Sequence, residues 1–301
     1  MKIFASRRFP GPAWDELSDV EYLEAPLPDG AGGNREDVEA LAVVGERIDD
    51  ETLGLFPNLK IVANYGVGYD SIDVDACAAR GVVVTNTPGV LTAATADLTL
   101  ALLLAVRRRI VVVDSAVREG HWRGGWADPD FLGRDVSGST LGVVGFGRIG
   151  RAVAHRAAAF GMRVLRHSRN RDGEDWRELE DLLAEADAVS LHVPLTPETR
   201  GMLDAERLGL LRDGACLINT ARGEIVDEEA LVRELVSGRI EAGLDVFVHE
   251  PQVPRELLGL PNVVLTPHVG SATAETREAM TRVLVDNLLA VERRERPPNA
   301  V

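Results

Sequence analysis

An arginine, a glutamate and a histidine in the last third of the chain each follow a short aliphatic run. They are Arg222, Glu250 and His268, and each preceding run is typical of a β-strand. Ligands of open α/β sheets bind at the carboxyl ends of the strands, so we expect these side chains to lie together at one edge. A lone arginine is usually at the surface and a lone histidine is usually structural, but three such residues on one edge favour a catalytic site.

These residue types suit the reduction of a 2-keto acid. The planar guanidinium of Arg222 binds a carboxylate through two parallel hydrogen bonds and polarises a carbonyl oxygen. When a hydride reaches the keto carbon, the oxygen becomes an alkoxide, and a protonated His268 supplies its proton near neutral pH. A carboxylate from Glu250 on the far ring nitrogen would favour the charged imidazolium. His249 is a weaker candidate for the acid, because its sequence context equally allows a position in solvent.

A glycine-rich turn lies upstream of these residues. The segment Gly145-Phe146-Gly147-Arg148-Ile149-Gly150 follows a strand-like run and precedes a helical pattern. In such a turn Gly145 makes the tight bend, Gly147 lets the backbone approach a pyrophosphate, and Gly150 lets helix and strand pack closely. The helix N-terminus then offers N–H groups to the phosphates. The pattern predicts a dinucleotide site; a tight turn without a ligand is the alternative.

The end of the following strand indicates which dinucleotide binds. An NAD site usually has an Asp or Glu about 20 residues after the glycine turn, where it accepts from the ribose 2′-OH. At that place the chain has His167-Ser168-Arg169-Asn170-Arg171 and no carboxylate before Asp172. Ser168 can donate to a phosphate oxygen, and Arg169 and Arg171 can pair with the 2′-phosphate of NADP. The sequence therefore predicts NADP(H) as the preferred cofactor and NAD(H) as the second option, with a solvated basic loop as the alternative.

Composition and motifs exclude several other classes of protein. The 33 basic and 48 acidic residues give a net charge of −15, which repels an extended phosphate backbone, so no nucleic-acid partner is expected. The sequence has no clustered metal ligands and no GxSxG elbow, so we predict neither a metal site nor a serine hydrolase. Cys77 and Cys216 lie in or beside apolar runs and are expected to be buried thiols in a reducing compartment.

No part of the sequence is expected to enter a membrane. The longest apolar stretch, residues 98–106, is too short to span a bilayer. Ser6-Arg7-Arg8-Phe9 faintly resembles a twin-arginine export signal, but Pro10-Gly11-Pro12 follows it in place of an apolar segment. We therefore expect a cytoplasmic protein with no membrane partner.

The elements that must position these residues alternate along the chain. Short β-branched or aliphatic runs alternate with longer helical patterns, as in the parallel sheets of α/β proteins. Four strands are predicted before residue 86 and six after residue 139, separated by an apolar helix over residues 92–109; a further helix over 273–292 follows the strands. Because 301 residues exceed what one core organises, two α/β domains with parallel sheets are expected.

Five segments of the sequence resemble the D-isomer-specific 2-hydroxyacid dehydrogenases, and most closely their glyoxylate/hydroxypyruvate reductase branch. The likeness runs from about residue 59 to residue 298 and is looser before that. The segments stand in the family's order: residues 64–70 (NYGVGYD), 86–92 (NTPGVLT), the glycine turn, 219–223 (NTARG) and 265–271 (LTPHVGS).

The resemblance implies roles for many residues. Arg222, Glu250 and His268 would be catalytic. The N–H groups of Val67 and Gly68 would bind the substrate carboxylate, with Arg222 and His268 also contacting the substrate. The implied cofactor contacts are the following: Thr95, Gly145, Phe146, Gly147, Arg148, Ile149, Ser168, Arg169, Asn170, Val193, Pro194, Thr199, Thr220, Ala221, Asp245 and Gly270.

The resemblance also implies how the protein is organised. Its fold would be two Rossmann-like α/β domains with parallel sheets and an active-site cleft between them. Residues 1–92 and 273–301 would form a substrate-binding, flavodoxin-like domain, and residues 93–272 an NAD(P)-binding Rossmann domain. A homodimer through the cofactor domain is expected.

Two departures from the family pattern concern the site. Ser168 replaces the acid of NAD-using relatives, and a similar Ser-Arg pair marks NADP-using glyoxylate reductases. Residues 238–243 form a segment one residue shorter than usual, which puts the positions of Asp245 and Glu250 in question. Phosphite dehydrogenases carry a lysine where Val67 stands, and formate dehydrogenases lack the Glu–His pair, so neither activity is favoured.

Glyoxylate, hydroxypyruvate or a similar short 2-keto acid is the substrate that these features predict, with the D-2-hydroxy acid as product. A bulkier 2-keto acid reduced by the same chemistry is one alternative, because the residues that shape the pocket lie outside the motifs. A dinucleotide-sensing protein like the corepressors built on this fold is another, although no extra segment for docking a partner supports it.

Overall fold

The computed structural model describes residues 1–124, 129–171 and 173–301, so Asp172 lies outside the described residues. The strands in these ranges are β1 (Ile3–Ala5), β2 (Val20–Tyr22), β3 (Ala40–Val43), β4 (Ile61–Asn64), β5 (Val83–Thr85), β6 (Thr140–Val144), β7 (Arg163–His167), β8 (Ala188–Leu191), β9 (Cys216–Asn219), β10 (Glu241–Leu244) and β11 (Val263–Leu265). The helices in the same ranges are α1 (Asp50–Gly54), α2 (Val74–Ala79), α3 (Thr92–Arg107), α4 (Ile110–Arg118), α5 (Arg148–Ala159), α6 (Leu179–Glu185), α7 (Ala205–Gly209), α8 (Glu228–Val236) and α9 (Ala274–Glu292).

The chain divides into two compact units. The first unit holds Met1–Leu91 and Ser271–Val301, and the second holds Thr92–Gly270. Each unit contains one sheet, and the paired strands of both sheets are parallel. The predicted fold class of two α/β units with parallel sheets is therefore confirmed.

The sheet of the first unit has five strands in the order β2-β1-β3-β4-β5, which is the doubly wound order of flavodoxin-like proteins. β3 and β4 are buried along their whole length, as expected for central parallel strands covered on both faces. Helix α9 packs against β4 and against a 3-10 helix at Pro12–Glu16. The sequence pattern did not predict β2, because this edge strand is only partly buried and reads Val-Glu-Tyr.

The sheet of the second unit has six strands in the order β11-β10-β9-β8-β6-β7, which confirms the six predicted strands. β6 lies between β7 and β8, so the strands that follow it in sequence are added first on one side of it and then on the other. A crevice is expected at the carboxyl end of β6, where the strand order reverses. The glycine turn begins at that end, at Gly145. β10 pairs in register with both of its neighbours, so the short segment 238–243 leaves the strand before Asp245 regular.

The helix predicted over residues 92–109 is α3, which ends two residues earlier than predicted, and the helix α4 that follows was not predicted. α3 ends at Arg107, and α4 begins at Ile110 after Arg109, whose φ of 53° is incompatible with a right-handed helix. Three arginines, Arg107 to Arg109, interrupt the apolar residues at this break, which is where the predicted helix ends.

Three findings concern thiols, membranes and metal ions. Cys77 and Cys216 are free and buried, as predicted, and burial raises the pKa of the Cys77 thiol to about 11. Every helix in the described ranges is too short or too polar to cross a membrane. Across the same ranges, no three or more His, Cys, Asp and Glu side chains are grouped so that they could hold a metal ion.

Candidate active site

Arg222, Glu250 and His268 follow three neighbouring strands of the second unit. β9, β10 and β11 lie side by side in the sheet, and their last residues pair with one another, so the three strands end level. The structure therefore brings the three predicted catalytic residues to one edge of one sheet, as the strand argument requires.

His268 and Glu250 form a hydrogen-bonded pair. Nδ1 of His268 lies 2.7 Å from Oε2 of Glu250, and the other carboxylate oxygen accepts from the Phe247 N–H at 3.1 Å. Burial alone would raise the pKa of Glu250, but the hydrogen bond and charge of His268, the Phe247 N–H and the charge of Arg222 together lower it. Glu250 is therefore charged near neutral pH. Nε2 of His268 has no partner among the described residues, and the side chain is 47% exposed.

The backbone at His268 has an unusual conformation that Asp245 stabilises. Its φ is 53°, in the left-handed region that non-glycine residues rarely adopt. The His268 N–H donates to the Asp245 carbonyl oxygen at 2.8 Å. The buried Asp245 carboxylate accepts from the N–H groups of Val269 and Gly270, each at 2.8 Å, and from the Thr266 hydroxyl at 2.6 Å. Backbone strain of this kind clusters at functional sites. Asp245 was predicted only as a cofactor contact, and this supporting role was not predicted.

Arg222 lies at a bend that Asn219 stabilises. The Asn219 side chain donates to the Arg222 carbonyl oxygen at 2.8 Å and accepts from the Ala221 N–H at 3.0 Å. Arg222 is half-buried, and Nη1 of its side chain donates to the Ala221 carbonyl oxygen at 2.7 Å. Gly223 is required because a Cβ atom there would lie 2.2 Å from the carbonyl carbon of Phe247. The bend thus runs directly against the segment that follows β10.

The competing histidine, His249, is placed differently. Its residue is exposed, and no hydrogen bond or ion pair joins its ring to any residue in the described ranges. Its carbonyl oxygen accepts from the Gln252 N–H at 2.7 Å, within a turn. The geometry therefore favours His268 over His249 as a proton donor.

The glycine turn after β6 has the geometry of a phosphate cradle. Gly145 has a φ of 93°, and a Cβ atom there would lie 2.5 Å from the carbonyl carbon of His192. A Cβ atom at Gly150 would lie 2.0 Å from the Gly145 carbonyl oxygen, whereas one at Gly147 would meet nothing within 4 Å. The first and third glycines are thus required by close packing, and Gly147, the N-cap of α5, has open space beside it. These residues fit a dinucleotide pyrophosphate.

The polar side chains after β7 differ in what they contact. The Ser168 hydroxyl donates to the Asn170 carbonyl oxygen at 2.6 Å. Arg171 forms an ion pair with Glu178 at 2.9 Å. Arg169 is exposed, and its side chain has no hydrogen-bond or ion-pair partner in the part of the chain that the structure describes. Of the two arginines predicted for a 2′-phosphate, Arg169 is therefore the available one.

Hydrogen bonds of two hydroxyl groups link Thr95, Thr99 and Thr220. The Thr99 hydroxyl donates to the Thr95 carbonyl oxygen at 2.8 Å, and its oxygen lies 3.1 Å from the Thr220 hydroxyl. Because the Thr99 hydrogen is already used on a carbonyl, Thr220 donates in the second bond. A Cβ atom at Gly270 would lie 3.7 Å from the Thr95 hydroxyl oxygen, so the predicted residues Thr95, Thr220 and Gly270 come together. Thr99 was not predicted; a polar residue one helical turn after Thr95 in an apolar helix is the signal that indicates it.

The other predicted cofactor contacts lie near the glycine turn, after β8 and before Arg222. The Phe146 ring centre lies 5.0 Å from the Arg166 guanidinium carbon. After β8, the Thr199 hydroxyl donates to the Pro194 carbonyl oxygen at 2.6 Å and closes a turn. The remaining members of the set are half-buried or exposed: Arg148, Ile149, Val193 and Ala221.

In the first unit, Val67 and Gly68 belong to the loop after β4. Val67 is half-buried and Gly68 is exposed. Their N–H groups have no acceptor among the described residues. Available N–H groups of this kind are what an anion-binding loop requires.

Several known proteins are similar to this chain in sequence and fold. A family model described as D-isomer specific 2-hydroxyacid dehydrogenase, NAD binding domain, matches residues 100–270. The glyoxylate reductase of Thermococcus litoralis is 47% identical over 318 residues, which cover 100% of this chain and 96% of that protein. The TT0316 protein from Thermus thermophilus is 48% identical in sequence. Its crystal structure superposes with a TM-score of 0.93, and the match covers 100% of both chains. The NADPH-dependent glyoxylate/hydroxypyruvate reductase of Sinorhizobium meliloti, in complex with NADP and malonate, is 37% identical with a TM-score of 0.90, over 100% of this chain and 96% of that chain.

Proposed function

This chain belongs to the D-isomer specific 2-hydroxyacid dehydrogenases, and we propose that it reduces glyoxylate, hydroxypyruvate or a similar short 2-keto acid to the D-2-hydroxy acid with NADPH. The observation that carries the proposal is the 2.7 Å contact between His268 Nδ1 and Glu250 Oε2, at the sheet edge that also bears Arg222. The activities named for the Thermococcus litoralis and Sinorhizobium meliloti relatives support the choice of substrate.

The residues of the chain divide the chemistry between them. A bound, reduced nicotinamide supplies the hydride for the keto carbon. Arg222 binds the substrate and stabilises the negative charge that develops on the keto oxygen. His268 donates a proton to that oxygen from Nε2, and Glu250, charged and bonded at Nδ1, stabilises the imidazolium before the proton leaves. The N–H groups of Val67 and Gly68 bind the substrate carboxylate.

The glycine turn and the residues after β7 are the proposed site of NADPH. The N-terminus of α5, a helix of 12 residues, would bind the pyrophosphate through its first N–H groups. Arg169 would bind the 2′-phosphate, since a guanidinium pairs with phosphate through two hydrogen bonds. The Ser168 hydroxyl would join it by turning away from the Asn170 carbonyl oxygen to which it donates. An NAD-type carboxylate at position 168 would repel that phosphate.

The cofactor preference is tested at Arg169. Arg169→Ala should raise the KM for NADPH about 10- to 100-fold, because it removes a charge-assisted hydrogen bond to the 2′-phosphate. The KM for NADH should stay nearly unchanged, because NADH has no 2′-phosphate. Arg171→Ala is the matched control, because that arginine is already paired with Glu178 and should matter less. Steady-state kinetics with glyoxylate and both cofactors measure the effect. A wild-type preference for NADH would contradict the assignment.

One substrate screen separates the proposal from the two sequence-based alternatives. Purified protein is assayed with both reduced cofactors and a series of 2-keto acids, from glyoxylate to branched and aromatic acids. The highest kcat/KM for a short acid supports the proposal, and the highest value for a bulky acid favours the alternative substrate. Tight NADPH binding without turnover of any acid favours a dinucleotide-sensing protein.

The lowered pKa of Glu250 predicts the acid limit of the reaction. A carboxyl is charged above its pKa, so a lowered pKa keeps Glu250 charged, and bonded to His268, to more acid pH. We expect the reduction rate to persist below the pH at which an ordinary glutamate titrates, and to fall only as the pH drops through the lowered value. The measurement is kcat/KM against pH, with circular dichroism confirming the fold at each point. A rate loss centred at or above the ordinary glutamate pKa would count against the pair.

The homodimer and the cytoplasmic location stay predictions. Helix α4 supports a homodimer, because none of its residues is buried and three of its apolar side chains are more than half exposed: Ile110, Val111 and Val117.

A further inference from the structure

Two buried asparagines hold the carbonyl groups of three consecutive residues in the loop after β4. Nδ2 of Asn64 donates to the carbonyl oxygens of Gly66 and Gly68, at 3.2 and 2.8 Å. Nδ2 of Asn86 donates to the carbonyl oxygen of Val67 at 2.9 Å. Asn64 is 3% exposed and Asn86 is 8% exposed, so both amides are shielded from water. The Gly66 carbonyl also accepts from the Thr87 N–H at 2.9 Å, so the carbonyls of Val67 and Gly68 are the two that side chains alone hold.

These bonds decide the direction of the N–H groups in the same loop. The peptide bonds here are trans, so each carbonyl points opposite to the N–H of the next residue. Fixing the carbonyls of residues 66–68 turns the N–H groups of Val67, Gly68 and Tyr69 away from the two asparagines. None of these three N–H groups has an acceptor among the described residues, and Gly68 and Tyr69 are exposed. Successive N–H groups left in this way form a site for an anion.

Holding these carbonyl oxygens requires a side chain that donates hydrogen bonds, as the two asparagines do. A carboxamide nitrogen carries two hydrogens, and Asn64 uses them on two separate carbonyl groups. Without these donors, the carbonyls of Val67 and Gly68 would lose their partners, and their peptide planes would rotate to find others. The N–H groups would then lose their common direction.

We propose that Asn64 and Asn86 are positioning residues for the carboxylate of the substrate. They orient the peptide planes of residues 66–69 before the substrate arrives, so binding does not have to order the loop. This inference rests on the proposed function, because it takes the substrate to be a 2-keto acid whose carboxylate binds this loop.

Asn64→Asp and Asn86→Asp test the inference, because aspartate keeps the shape of the side chain and removes the N–H donors. We expect the KM for glyoxylate and the Ki of oxamate, an unreactive carboxylate analogue, to rise at least about ten-fold. The change in kcat should be smaller, since the loop binds the carboxylate alike in the ground state and the transition state. The Kd of NADPH should not change. The rate with methylglyoxal, a keto aldehyde that has no carboxylate, should not change either.

Two further variants control for charge and for stability. Asn86→Leu is similar in shape and uncharged, so a raised KM in it shows that the lost donor is the cause. Asn262→Asp is the matched control, because Nδ2 of Asn262 also donates to two carbonyls, those of Leu235 and Ile240, at 3.0 and 2.8 Å in the second unit. It should lower the Tm and leave the KM for glyoxylate unchanged.

The order of measurements keeps the two proposals separate. Wild-type turnover of glyoxylate is measured first, because its absence overturns the proposed function. With an active wild type, an unchanged KM and Ki in folded Asn64→Asp and Asn86→Asp proteins overturn the inference. If a variant does not fold, a crystal structure of the wild type with NADPH and oxamate decides. A carboxylate bonded to the N–H groups of residues 67–69 supports the inference, and one bound elsewhere overturns it.

Discussion

We expect His268→Ala to lower the kcat of keto-acid reduction by about 10²- to 10⁴-fold, the contribution of a positioned general acid. The structure holds Nδ1 of this ring 2.7 Å from Glu250 Oε2, which leaves Nε2 to serve the substrate oxygen. Alanine removes the proton donor, while the side chain that is lost is 47% exposed, so the fold should persist. The measurement is kcat with saturating NADPH and glyoxylate, together with the Tm.

His249→Ala is the control for this prediction. His249 is exposed, and its ring contacts none of the described residues through a hydrogen bond or ion pair, so its loss should leave kcat unchanged. A large loss of kcat in His249→Ala together with a small loss in His268→Ala would mean that the wrong histidine was assigned. Equal, small losses in both would remove the general acid from the proposal.

Arg222→Ala should lower kcat by about 10²- to 10³-fold, as the removal of one electrostatic stabiliser of a developing negative charge does in other enzymes. The KM for glyoxylate should rise as well, because the guanidinium is proposed to hold both the substrate and the transition state. Arg222→Lys should recover only part of the rate, since an ammonium lacks the planar fork of a guanidinium. Steady-state kinetics of the two variants measure both effects.

Arg233→Ala controls for the loss of a positive charge from the same unit, because Arg233 is exposed on α8. It should not change kcat or KM. A second readout is specific to Arg222, whose charge is one of the causes that lower the pKa of Glu250. The acid limit of the rate in Arg222→Ala should therefore move to higher pH. Wild-type kinetics in Arg222→Ala would remove this residue from the site.

Local patterns were sufficient for much of the fold. Three of the six strands in the second unit, β6, β8 and β9, are buried along their whole length, and β-branched or aliphatic runs of this kind stand out in a sequence. The short edge strand β2 lacks that pattern, because one of its residues is exposed and the other two are only half-buried. Helix α4 was not predicted either, and none of its residues is buried.

The chain alone was enough to indicate the glycine turn, the basic residues after β7 and the set Arg222, Glu250 and His268, because each is a residue type with a definite chemistry placed after a strand. Only the tertiary structure showed which hydrogen-bond and ion-pair partners these residues have. The choice of His268 over His249, the pairing of Arg171 with Glu178, and the support of residues 266–270 by Asp245 all depend on bonds between residues that stand 7 to 25 positions apart in different segments of the chain. Such bonds form only where packing brings a donor and an acceptor within about 3 Å, a distance that no local pattern encodes.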